Sequence, residues 1–110
     1  MRGPQELKAG RQVAYIPPHV RDSHDGNVNK MLRDKDTEFG FISSWRGNIV
    51  FCRFWNKFDS NATLRTLSTS EGCRREDLEL YNYHPQEYVE NTLKMLRADP
   101  LRYGWTEGAK

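Results

Sequence analysis

The sequence predicts a mainly β domain that closes with a C-terminal helix. Two strand-like arms rich in aromatic and β-branched residues flank the dipeptide Arg46-Gly47, and further short alternating segments are set between Gly, Pro, Asn and Ser. One stretch near the end carries helical spacing instead. At 110 residues the chain has the length of a single domain with one small core. Apolar residues make up 36% and charged residues 29%, which is polar for a globular chain, yet 12% aromatic content supplies enough ring surface to fold.

Residues 1–10 carry Gly, Pro and mixed charge without a period and read as a flexible arm. The main body is expected over 11–82. Residues 12–16 alternate Val13 and Tyr15 against Ala14 and Ile16, and Pro17-Pro18 ends this first strand because proline cannot donate to a ladder. Residues 19–37 are polar, with only Val20, Val28, Met31 and Leu32 able to pack, and read as a long loop. The hairpin follows, with arms at 38–45 and 48–55. Both of its faces carry apolar groups, and Gly40 leaves room for a close backbone or a bulge. Residues 62–67 read as a strand by Thr content and alternation, 68–72 as a turn, 73–77 as a turn or single helical turn, and 78–81 as a short closing strand. These five strands suggest a small, bent SH3-like barrel, with an OB-like barrel as the alternative.

The closing segment spans 83–110. Pro85 suits a first helical turn, Glu87 and Glu90 suit the positive end of the helix dipole, and Val89, Leu93 and Leu96 form an apolar stripe widened by Tyr88 and Met95. Asp99-Pro100 stops this helix near Arg97. Tyr103 and Trp105 then need cover from this chain or from a copy of it, which motivates a homo-oligomer.

The 17 Lys and Arg against 15 Asp and Glu leave a net charge of +2, too small for a protein held mainly by duplex phosphates. No apolar run reaches the roughly 18 residues that span a bilayer, and the first residues lack the apolar stretch of a signal peptide, so a cytoplasmic location and no membrane partner are expected. Cys52 and Cys73 are then expected as free thiols. Without a CxxC pair or a close His/Cys set, no metal or other cofactor is expected.

Few residues point to catalysis. His19, Asp22, His24 and Asp25 could in principle ligate a metal or act as acid and base, but a solvated polar loop accounts for them better. His84 before Pro85 reads as a helix-entry residue, and Ser43-Ser44 lacks the glycine-flanked elbow of a hydrolase serine. The denser constellation is aromatic and basic: Trp45, Arg46, Phe51, Arg53, Phe54, Trp55 and Lys57 on or beside the hairpin, followed by Arg65, Arg74 and Arg75. Such a set suits a base stacked on a ring, with guanidinium groups on phosphates.

Several segments, in order, resemble a family of small proteins common in bacteriophage genomes. Val13-Ala-Tyr-Ile-Pro-Pro-His19 is similar to its V-x-Y-I-P-x-H opening, and Asp36-Thr-Glu-Phe-Gly-Phe-Ile-Ser-Ser44 to its D-x-E-x-G-x-V-S-S. Val50-Phe-Cys-Arg-Phe54 is similar to V-F-V-R-F, and residues 69–78 align without a gap on T-S-Q-A-T-x-P-E-D-L, departing at Glu71, Gly72, Cys73 and Arg75. The resemblance covers residues 11–80 and implies a compact SH3-like barrel. A sheet followed by C-terminal helices also resembles phage anti-Thoeris sponge proteins, which oligomerise and sequester cyclic nucleotide signals.

The leading expectation is therefore a non-enzymatic phage anti-defence protein in the host cytoplasm. It would hold a small phosphorylated or cyclic nucleotide between protomers, using Trp45, Arg46, Phe51, Arg53, Trp55, Arg65, Thr69, Ser70, Arg74 and Arg75. The alternative is an SH3-like adaptor that docks a host protein or single-stranded nucleic acid. A third reading, a metal enzyme at His19, His24 and Asp25, requires bound metal.

Overall fold

The computed structural model describes residues 3–110. The fold is α+β and dominated by one sheet. Along the chain run β1 (Gln12–Tyr15), α1 (Pro18–Ser23), α2 (Val28–Arg33), β2 (Glu38–Arg46), β3 (Ile49–Phe54) and β4 (Glu71–Arg74). After a 3₁₀ turn (Arg75–Asp77) come β5 (Leu78–Leu80), α3 (Gln86–Ala98), α4 (Pro100–Tyr103) and β6 (Gly108–Ala109). The sheet has the order β4-β3-β2-β1-β5, antiparallel throughout this path, and β6 adds to β2 in parallel. No helix among the described residues is long and apolar enough to cross a membrane.

The hairpin forms where the sequence placed it, and its two apolar faces build two cores. Val13, Ile42, Val50, Cys52, Phe54, Cys73 and Leu78 pack on one face. Ala14, Ile16, Phe39, Phe41 and Trp55 look the other way and are covered by Val20, Met31, Val89, Leu93, Leu96 and Trp105. Period-two alternation explains both sets, since neighbours along a strand point to opposite faces. Gly40 is needed for a close approach: a Cβ there would lie 2.0 Å from the Arg53 carbonyl oxygen. The register shift lies elsewhere, between Ile42 and Ser44.

Three expected elements differ. The loop expected over 19–37 contains α1 and α2, because Pro18 opens the first and the Asn27 side chain caps the second by accepting the Lys30 N–H at 3.2 Å. Val20 and Met31 are buried and dock these helices. The strand expected at 62–67 is reduced to a single bridge, Trp55 to Leu64. Strand β4 instead occupies Glu71–Arg74, partly where a turn was expected. Glu and Gly are poor strand formers, but pairing with β3 and burial of Cys73 override that preference.

Helix α3 buries Val89, Leu93 and Leu96 as its spacing requires, while Tyr88 and Met95 remain exposed. Asp99 ends it and caps α4, accepting from the Arg102 N–H at 3.4 Å. Trp105 is only 6% exposed and packs on Phe41 with ring centres 6.2 Å apart, and half-buried Tyr103 joins the same core. The tail rings are thus covered by their own chain. Of the expected arm, residues 1–2 lie outside the described residues; the remainder is tethered, with the Arg75 guanidinium donating to the carbonyls of Pro4 at 2.7 Å and Gln5.

Candidate functional site: an aromatic surface beside helix α3

The aromatic and basic set of the hairpin is dispersed by the fold. Arg53 is 0% exposed, and its guanidinium donates to Ser70 Oγ at 2.8 Å, to the Leu67 carbonyl at 2.6 Å and to the Tyr103 and Gly104 carbonyls at 2.8 and 3.2 Å. Burial pulls its pKa down. Ser70 also meets Ser43 Oγ at 3.1 Å, so it belongs to the same internal network. Trp55 is buried against Phe41. Phe51 is half-buried with the Lys110 ammonium 4.9 Å from its ring centre, Trp45 packs on the core of Val13, Ile42 and Val50, and Arg46 and Thr69 are exposed.

The remaining guanidinium groups have protein partners. Arg65 pairs with Glu71, Arg74 with Glu76 at 3.2 Å and Asp77 at 3.3 Å, and Arg75 with the two carbonyls named above. Asp77 and then Glu76 raise the Arg74 pKa. Of five shallow surface cavities, four touch none of the ten residues and one touches Arg74 alone.

The polar pairs of the α1–α2 segment also differ from expectation. His19 Nε2 meets Asp36 at 2.8 Å and His24 Nε2 meets Asp34 at 2.9 Å, whereas Asp22 and Asp25 hydrogen-bond neither histidine. The described residues contain no group of three or more side chains suited to hold a metal ion. Cys52 and Cys73 are free, and the neighbouring Cys73 thiol, reinforced by burial, raises the Cys52 pKa well above its ordinary value.

What the fold does gather is a different row of rings. Beyond β5 the chain crosses to α3 through Tyr81, Asn82, Tyr83 and His84, and the buried Gln12 side chain holds this strap. Its Nε2 donates to the His84 carbonyl at 2.7 Å and its Oε1 accepts the His84 N–H at 3.2 Å. Phe39, rooted in β2, then stacks on Tyr83 with centres 4.4 Å apart and an interplanar angle of 9°, and tilts against Tyr81 at 5.4 Å. His84 meets the Tyr83 ring edge-on at 4.9 Å, stacks on Tyr88 at 5.6 Å and stands edge-on over Trp55 at 5.1 Å. Tyr81 and Tyr88 are 40% and 37% exposed, so each keeps a ring face for a visitor.

The rim of this surface is a strained loop. Phe58 has φ 63° and Ala62 φ 53°, left-handed values that cost non-glycine residues on the order of 1–3 kcal/mol each. Asp59 holds the loop by accepting the Asn61 N–H at 2.9 Å and the Thr63 hydroxyl. Phe58 projects with 95% of its surface exposed, its N–H 3.5 Å from the Tyr83 hydroxyl. Between loop and helix lies a cavity of about 320 Å³ lined by Ser60, Asn61, Ala62, Tyr88, Asn91 and Thr92. Burial lowers the His84 pKa against the opposing pull of Asp59, which favours the neutral ring.

Sequence reasoning missed this surface because its rings lie in three separate elements. Tyr81 reads as strand, His84 as a helix entry and Tyr88 as part of the helix stripe. The signal was Gln12, a buried amide at a position where alternation asks only for a strand residue. No family model, curated protein or solved structure matches this chain.

Proposed function

We propose that the chain is a non-enzymatic binding module, an SH3-like barrel whose aromatic row docks an extended, proline-rich segment of a partner protein. The carrying observation is the row of contacting rings in which exposed Tyr81 and Tyr88 flank half-buried Tyr83 and His84, with exposed Phe58 at its rim. Proline-rich segments adopt a polyproline II helix with little loss of entropy and lodge between flat aromatic faces, which needs rings and few charges. Barrel closure is supported by the strand path: its two ends, β4 and β5, are joined by only the three residues Arg75–Asp77, a reach of about 10 Å.

The competing reading, sequestration of a cyclic nucleotide, calls for guanidinium groups free to meet phosphate, and Arg53, Arg65, Arg74 and Arg75 each have protein acceptors already. The resemblance to small phage proteins supports an accessory role in the host cytoplasm for either ligand.

A fluorescently labelled decaproline peptide tests the proposal by anisotropy. Saturable binding that weakens at least tenfold in Tyr88→Ala and is unchanged in Arg65→Ala is the expected result. Absence of binding, together with a melting-temperature rise on adding a cyclic dinucleotide, overturns it in favour of sequestration.

A further inference from the structure

The cavity between the strained loop and α3 opens directly off the ring row. Tyr88, Asn91 and Thr92 stand at i, i+3 and i+4 on α3, so one helix face presents all three. Ser60, Asn61 and Ala62 complete its lining. Tyr88 belongs to both places, since it lines the cavity and its ring stacks on His84 with centres 5.6 Å apart. The loop is shared as well: Phe58 stands at the rim of the row, and the next turn of chain lines the cavity.

The lining is neutral. Each of the other four cavities has a charged side chain in its wall, Arg11 in three of them and Arg74 in the fourth, whereas this one has none. Its polar side chains are two carboxamides and two hydroxyls. The Thr92 hydroxyl is spent on the Tyr88 carbonyl, to which it donates at 3.0 Å. The side chains of Ser60, Asn61 and Asn91 bond no described residue. Each carboxamide therefore keeps its N–H donors and its carbonyl acceptor for a guest. Asp59 fixes the Asn61 backbone by accepting its N–H at 2.9 Å, so that amide is presented from a held main chain.

This chemistry discriminates among guest side chains. A carboxylate or an ammonium loses water there without meeting an opposite charge. An aliphatic group covers the carboxamides and leaves them unpaired. A primary amide offers a donor and an acceptor at once and pairs with Asn61 or Asn91, while its methylene stem finds Ala62 and the Tyr88 ring. We propose that the cavity is the specificity pocket of the docking surface and takes a glutamine side chain that flanks the docked proline run. The inference rests on the proline-docking reading above and names what separates one proline-rich segment from another. Asn61 and Asn91 are its specificity-determining residues.

Fluorescence anisotropy with end-blocked peptides tests it. Each peptide is a run of nine prolines carrying Gln, Glu, Lys or Leu at one end, in one set at the C-terminal end and in a second set at the N-terminal end, with the label opposite. In one of the two sets the Gln peptide is expected to bind about fivefold or more tighter than the other three, the worth of one or two neutral hydrogen bonds. Asn91→Leu and Asn61→Ala are each expected to abolish that preference, and Lys94→Ala, outside the cavity on α3, to keep it. Circular dichroism melts identify a variant that fails to fold, and the other then decides. Equal binding of the four peptides in both sets, tighter binding of Glu, Lys or Leu, or a preference that survives in a folded Asn91→Leu or Asn61→Ala overturns the glutamine pocket and leaves proline docking standing. Absence of binding by every peptide, decaproline included, overturns both.

Discussion

The Arg53 guanidinium donates to the main-chain carbonyl of Tyr103 at 2.8 Å, tying the middle of the hairpin to the C-terminal tail. The same group reaches Leu67, Ser70 and Gly104 and lies 5.4 Å from the Trp105 ring centre. One side chain thus holds the 67–70 loop, the tail and the sheet in register. A residue that composition marks as a phosphate ligand is spent on the interior.

Arg53→Lys keeps the charge but cannot serve a planar fan of acceptors. Leaving buried carbonyls unpaired costs on the order of 1–3 kcal/mol each. The expected result is a loss of at least about 2 kcal/mol in urea unfolding, with faster amide exchange at residues 103–105. A variant as stable as wild type, with unchanged exchange in the tail, contradicts the role given to Arg53.

Two glycines separate crowding from backbone strain. Gly40→Ala places a methyl 2.0 Å from the Arg53 carbonyl oxygen, so the hairpin must part. A loss of about 3 kcal/mol is expected. Gly47, at φ 56°, has nothing near its absent Cβ, so Gly47→Ala is expected to cost only about 1 kcal/mol. Equal losses for the two in thermal unfolding would show that the close approach of β2 to β3 matters little.

The depressed pKa of His84 fixes a pH dependence. Burial lowers it, so on acidification the unfolded chain takes up this proton first. The associated stability is full above the ordinary histidine value near pH 6.5 and is lost as pH falls through the lower folded value. Glu107, lowered chiefly by Arg97, adds a loss of the same sign further into the acid range, full above the ordinary glutamate value and lost through its folded value. His84→Asn is expected to flatten the decline that sets in below about pH 6.5 while leaving the acid limb in place. An unchanged slope in unfolding experiments over that decline would remove His84 as its source.

The hairpin, the first and closing strands and the buried stripe of α3 were legible because strong alternation and helical spacing survive in single segments. Strand β4 was not, since Glu71 and Gly72 disfavour strand locally and only pairing with β3 creates it. The short helices α1 and α2 were hidden by polarity, each anchored by a single fully buried residue, Val20 or Met31. For the site, counting rings and guanidinium groups could not tell which of them the fold would bury. Arg53 and Trp55 went inside, while Phe39, Tyr83 and His84 meet only because Gln12 holds the strap across the sheet.

Backbone amide shifts on the labelled protein, recorded during titration with decaproline and separately with a cyclic dinucleotide, test most directly which surface binds. Shifts confined to Phe58, Tyr81, Tyr83, His84 and Tyr88 with the peptide, and none with the nucleotide, are the expected result. Shifts at Trp45, Phe51, Arg65 and Arg74 with the nucleotide, and a silent aromatic row, would contradict the account.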